Sequence, residues 1–165
     1  MTVFSIEDID KLHQTNLGQA VTKLKEIDVC CGVDPKFAGL NGWVFEQTIR
    51  YCIQKELEAK NISLKISEQV SLCGRAKADL LVGNTAIEIK TSGLFGMNGV
   101  ERYKRYHSQA IEKGFNRYLY LTWEESHVKY RSGLDNALGK ENVFYICDNG
   151  EWKRFIDVIL SANSK

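Results

Sequence analysis

Apolar positions recur along this chain in two rhythms, and the changes between them mark its elements. Ile6, Ile9, Leu12, Leu17, Val21 and Leu24 fall at helical spacing behind Ser5-Ile6-Glu7-Asp8, which reads as a helix N-cap. Gly18 interrupts the run, so it is read as one or two amphipathic helices. A long loop is expected over residues 30–41, around the single proline, Pro35. A stronger helix follows over 42–60, with Ile49, Ile53 and Leu57 as its inward stripe. Residues 62–72 then alternate like a strand, and 77–82 and 85–90 give two more. A glycine-rich loop at 92–99 leads to a helix over 100–113, stopped by Gly114. Strands at 118–123 and 143–147 and a helix at 151–160 close the chain. This order predicts one α/β domain over 1–165, a mixed sheet with a central antiparallel hairpin flanked by helices.

The hairpin carries the chemistry. Gly83-Asn84 is a good two-residue loop between apolar runs. That loop sets Leu80 opposite Ile87 and Asp79 opposite Glu88. Opposed like charges weaken a sheet, and a bound cation would reverse the penalty. Alternation also puts Ala86, Glu88 and Lys90 on one face, with Ile87 and Ile89 on the other. Two acids and a lysine converge, which suits a hard divalent metal. A surface hairpin with an ordinary Glu88–Lys90 ion pair is the plainer alternative. Glu46 lies on the inward stripe of the 42–60 helix, where an unpaired acid is costly. It reads either as a further ligand or as an acid favoured by the first-turn dipole.

Composition narrows the class. Hydrophobic residues make up 44% and charged residues 26%, as in ordinary soluble domains, so no disordered or fibrous class is indicated. No apolar run approaches the roughly 20 residues of a membrane span. The start of the chain lacks a secretory pattern. Five cysteines (Cys30, Cys31, Cys52, Cys73, Cys147) without C-x-x-C spacing argue for reduced thiols in a cytoplasmic protein. A net charge of +1 means that any nucleic acid would be met by a local patch. His13, His107 and His127 are scattered, and no G-x-S-x-G nucleophile pattern occurs.

Ala78-Asp79, eight further residues, then Glu88-Ile89-Lys90 resembles the PD-(D/E)XK nuclease superfamily. Gly42-Trp43-Val44-Phe45-Glu46 is similar to the Gly-x-x-x-Glu often found on the helix before that hairpin. The order of elements from about 42 to 123 is also similar, covering roughly half the chain. Ala78 stands where the family usually has proline. The resemblance implies a restriction endonuclease-like fold and Mg²⁺, with Mn²⁺ expected to substitute. It makes Asp79 and Glu88 metal ligands, Glu46 the accessory acid and Lys90 the catalytic lysine. Gln109 resembles the polar residue that some members place near the metal.

DNA contacts are expected from Arg102, Lys104, Arg105, Gln109 and Lys113, where bases interleave with aromatics, although a solvated helix face would look the same. Arg75 and Lys77, which lead into the hairpin, and Ser92 and Asn98 in the glycine-rich loop complete the candidate surface. The expected activity is metal-dependent phosphodiester hydrolysis, first as type II restriction-like cleavage of duplex DNA by a homodimer. A structure-specific nuclease similar to Holliday-junction resolvases is the alternative, though those tend to be strongly basic. A catalytically silent DNA-binding subunit is a third possibility, of another class.

Overall fold

The computed structural model describes residues 1–31 and 39–164, with the side chains of 27–31 outside that description. Helix α1 (Ile6–Cys31) runs unbroken through Gly18. Its start is a reciprocal cap: Asp8 N–H donates to Ser5 Oγ at 3.2 Å, and Ser5 N–H to the Asp8 carboxylate at 3.0 Å. Most of the loop expected at 30–41, Pro35 included, lies outside the described residues. Helix α2 (Leu40–Ala59) follows, then strands β1 (Ile66–Ser71), β2 (Lys77–Val82) and β3 (Thr85–Lys90). Next come α3 (Met97–Glu112), β4 (Arg117–Thr122), α4 (Val128–Leu138), a short 3-10 turn, β5 (Val143–Tyr145) and α5 (Glu151–Asn163).

The five strands form one open sheet in the order β1-β2-β3-β4-β5. The first two pairings are antiparallel, and β3-β4 and β4-β5 are parallel. The fold class is therefore α/β, with the antiparallel hairpin inside a mixed sheet. Several details differ from the sequence pattern, among them α5 running to Asn163 rather than 160 and β5 ending at Tyr145 rather than 147. Strand β1 begins at Ile66 rather than 62, because Lys60 and Asn61 still cap α2 and Asn61 takes φ 55°. Helix α3 starts at Met97, so Asn98 lies in its first turn and not in a loop. Helix α4 had no counterpart in the pattern, since only Leu134 and Leu138 of it are buried.

Each face of the sheet has its own core. Leu80, Val82, Ile87, Ile89, Leu119, Leu121 and Phe144 pack against α1, α2 and α5. Ala78, Ala86, Tyr118, Tyr120, Val143 and Tyr145 pack under α3 and α4. Fully buried Glu56 joins the first layer by accepting the Val3 and Phe4 N–H groups and Trp152 Nε1. Among the described residues no helix is long and apolar enough to cross a membrane. Cys52, Cys73 and Cys147 are free thiols.

The hairpin has the expected register, Leu80↔Ile87, Leu81↔Ala86 and Val82↔Thr85. Its positive φ, 59°, falls on Gly83. Asn163 at the end of α5 closes over this turn, accepting the Asn84 N–H at 2.7 Å and donating to Thr85 Oγ1 at 3.1 Å. A Cβ on Gly83 would lie 2.2 Å from Asn163 Oδ1. Gly83→Ala should therefore combine φ strain with disruption of this clasp and destabilise the fold by about 1–3 kcal/mol. A urea unfolding midpoint equal to that of the parent protein would contradict this account.

Candidate active site

Asp79 sits at a break in the sheet. Strand β1 pairs with β2 from Ile66↔Val82 to Glu68↔Leu80, skips one position, and resumes at Val70↔Ala78. Gln69, at the skipped position, takes φ 51°. Ala78 belongs to one core and Leu80 to the other, so the strand changes face here. On the other side, β2-β3 pairing reaches Leu80↔Ile87 and goes no further. The direct Asp79–Glu88 pairing expected from the turn is replaced by a side-chain bond. Asp79 Oδ2 accepts the Ile89 N–H at 2.8 Å.

Glu88 and Lys90 do share a face, the one under α3, opposite Ile87 and Ile89. Lys90 Nζ lies 2.5 Å from Glu88 Oε1 and 3.4 Å from Asp79 Oδ2, and donates to the Ile89 carbonyl at 3.1 Å. This is not a solvated surface pair, because Glu88 is only 4% exposed. Glu88 Oε2 is buried with no hydrogen-bond partner. Burial pushes the Glu88 carboxyl up to about 7, with the Asp79 charge adding and Lys90 opposing. Burial lowers the Lys90 pKa, but Glu88 and Asp79 more than offset it and hold the ammonium above its ordinary value.

Glu46 reaches the same locus from α2, on the opposite layer. It is half-buried, and burial followed by the Asp79 charge pushes it up to about 7, with Lys90 pulling the other way. Glu68 of β1 adds a weaker push on Glu46 and binds Gln47 Nε2 at 2.5 Å. Among the described residues no group of three or more His, Cys, Asp or Glu is arranged to hold a metal. The Lys90 ammonium stands between Glu88 and Asp79 and supplies the counter-charge there.

A cleft of about 440 Å³ opens beside this group, lined by Lys90, Ser92, Gly93, Leu94, Phe95, Gly96, Asn98, Gly99, Arg102 and Tyr103. Four expected site residues, Lys90, Ser92, Asn98 and Arg102, thus meet in one place. Lys104 and Arg105 are exposed further along α3, Arg105 lying 5.9 Å from the Tyr106 ring. Lys113 is eleven residues beyond Arg102, about 16 Å along the helix axis. It donates to the Ser71 carbonyl instead of entering the cleft. Gln109 has a buried, unpartnered Oε1 and makes no hydrogen bond with the acids. Arg75 and Lys77 are exposed at the turn into β2, outside the cleft lining.

Three tyrosines wall the Glu88–Lys90 pair, and two of them, Tyr118 and Tyr120, escaped the sequence reading. Tyr120 pairs with Glu88 in the β3-β4 register, and Tyr118 lies two residues earlier on the same face. Both are fully buried, and their hydroxyls have no partner. Tyr103 closes the wall, with its ring 4.8 Å from that of Tyr120 and 6.0 Å from Lys90 Nζ. The period-2 run Tyr118-Leu119-Tyr120-Leu121 was the available signal. No protein-family profile, curated protein or solved structure matches this chain.

The raised carboxyls make the metal-free protein sensitive to pH. An unfolded glutamate ionises near 4.5, whereas Glu46 and Glu88 ionise near 7 in the fold. Their contribution to stability is full below about 4.5 and is lost as pH rises through about 7. With chelator present, the thermal midpoint should fall over this interval less steeply in Glu46→Gln than in the parent. Parallel declines would show that Glu46 does not share the buried field.

Proposed function

We propose that this chain is a divalent-metal-dependent DNA endonuclease of the PD-(D/E)XK kind. The observation that carries the reading is the buried Glu88–Lys90 pair joined to Asp79, with Glu88 Oε2 left without a partner. Glu56, equally deep, also has an unpartnered Oε2, so the lone oxygen of Glu88 counts here only together with the further acids around it. Three carboxylates, Glu46, Asp79 and Glu88, face a single ammonium, and two of them are pushed up to about 7. Oxygen donors in excess of their counter-charge fit Mg²⁺, with Mn²⁺ as a substitute. Asp79 and Glu88 would hold the ion, with Glu46 nearby as an accessory acid, and the ion would supply neutralisation of phosphate charge and a water of lowered pKa.

The remaining work falls to the chain itself. Lys90, kept cationic by its neighbours, donates toward a phosphate in the cleft and stabilises charge that develops as the bond breaks. Asp79 fixes the end of β3 by holding the Ile89 N–H, which aims Lys90. Arg102, with Ser92 and Asn98, lines the path by which a phosphodiester backbone would approach. Tyr103 and Tyr120 exclude water behind Glu88. Cutting both strands of a duplex would most simply take two copies of the chain.

Plasmid and oligonucleotide cleavage in Mg²⁺ tests the proposal. Asp79→Ala and Glu88→Ala should abolish cutting while the circular dichroism spectrum is retained. Nearly full activity in either would remove the reading. Lys90→Ala should still bind DNA in Ca²⁺ but cut on the order of 10²–10³-fold more slowly.

Arg102 and Arg105 are three residues apart on an exposed helix face. Changing both to alanine should reduce the slope of log K against log[salt] by about 0.9 for each phosphate that is no longer neutralised. The thermal midpoint should hardly move, since exposed charges contribute little. An unchanged slope would place the DNA elsewhere, with Arg75 and Lys77 the next residues to vary.

A further inference from the structure

The loop after β3 turns Leu94 inward and leaves Phe95 wholly in solvent, 100% exposed. This loop is fastened from below. Glu125, itself 4% exposed, accepts the Leu94 N–H at 2.6 Å and the His127 N–H at 3.1 Å. Its carboxylate presses on Gly93, where a Cβ would come within 2.7 Å of Oε1. A phenylalanine held out on a fastened loop forgoes the free energy of burying its ring, so a partner for the ring is worth seeking.

The surroundings indicate the partner's chemistry. Phe95 lines the cleft that holds Lys90 and Arg102, so an aromatic face and two cations border one space. Ser92 and Lys90, which border the same space, are residue types depleted from protein–protein interfaces. Across the site, Trp43 is 57% exposed one turn before Glu46 on α2. Cations beside exposed aromatic rings suit a strand whose phosphates and bases are both within reach. In continuous duplex the base faces are already stacked on one another, and a side chain reaches one only by unstacking a step.

We infer that Phe95 stacks on an unpaired base next to the phosphate held at Lys90, so that the preferred substrate is DNA with locally unpaired bases. The inference rests on the nuclease reading and chooses the structure-specific form of it. It makes Phe95 a determinant of substrate choice, with no part in the hydrolytic step.

Binding in Ca²⁺ is measured by anisotropy on a plain duplex and on the same duplex with a short unpaired bulge. The protein should prefer the bulged DNA. Phe95→Ala should reduce that preference by about 5- to 150-fold, the range that removal of one base–aromatic stack gives. Phe95→Trp should keep it, and a 2-aminopurine in the bulge should be quenched by the parent and by Phe95→Trp alone. Equal affinity of the parent for the two DNAs, or an unchanged ratio in Phe95→Ala, overturns the inference. If the parent still cuts DNA in Mg²⁺, the nuclease reading survives that result. Failure to cut any DNA removes both.

Discussion

The bond from the Ile89 N–H to the Asp79 carboxylate governs the arrangement of this molecule's charged centre. At that point a side chain does what a backbone carbonyl does elsewhere in the ladder. The substitution lets β2 leave β3 without orphaning a buried N–H, which would otherwise cost about 1–3 kcal/mol. Because the strands part there, a side chain on α2 and two on β3 can approach one another from opposite layers. Gln69, at φ 51°, is the corresponding distortion on the outer strand. Positive φ at a non-glycine residue is unfavourable, and such strain gathers where structure serves something besides stability.

The second constraint is electrostatic. Placing Glu88 and Lys90 together inside the fold costs desolvation of both, and their attraction repays it only when the remaining lone pairs are satisfied. Glu88 Oε2 is not satisfied, and the Tyr118 and Tyr120 hydroxyls on the same face are not either. Replacing this group with apolar side chains would be expected to stabilise the sheet. A fold that retains excess negative charge and unpaired oxygens in one place is less stable than it could be there. A cation held at this group, as proposed above, would relieve that deficit.

Much of the frame was legible from residues alone. Gly83-Asn84 between apolar runs fixed the hairpin register, and period-2 alternation put Glu88 and Lys90 on one face, because both depend on local geometry. Glu46 was legible as an acid on an inward stripe. The face change at Asp79 was not, since it depends on Gln69 across the strand and leaves no mark in the alternation. Helix α4 escaped because Val128–Leu138 buries so little that its apolar period is faint. Glu125 drew no notice in the sequence, because its role under Leu94 depends on backbone groups that no pattern of side chains reveals. Lys113 shows the opposite error. Its charge was visible, but which carbonyl it would meet depended on how α3 ends beside β1.

Size alone would place the ligand elsewhere. A cavity of about 700 Å³ lies beside β5, between Arg131, Asp135, Lys140, Glu141, Asp148 and Arg154. Its two arginines are already committed. Arg131 pairs with Asp148 and stacks 4.0 Å over the Tyr145 ring, while Arg154 pairs with Glu151 and lies 4.0 Å over Phe144. Arg154 also donates to the Val143 carbonyl, covering the open edge of the sheet as edge strands require. Each arginine there has its acid and its aromatic platform, so an anion drawn to either would have to displace an internal partner. At Lys90 the balance runs the other way, with three acids to one base and an oxygen without a donor. Unmet charge, more than volume, distinguishes the Lys90 locus from the cavity beside β5.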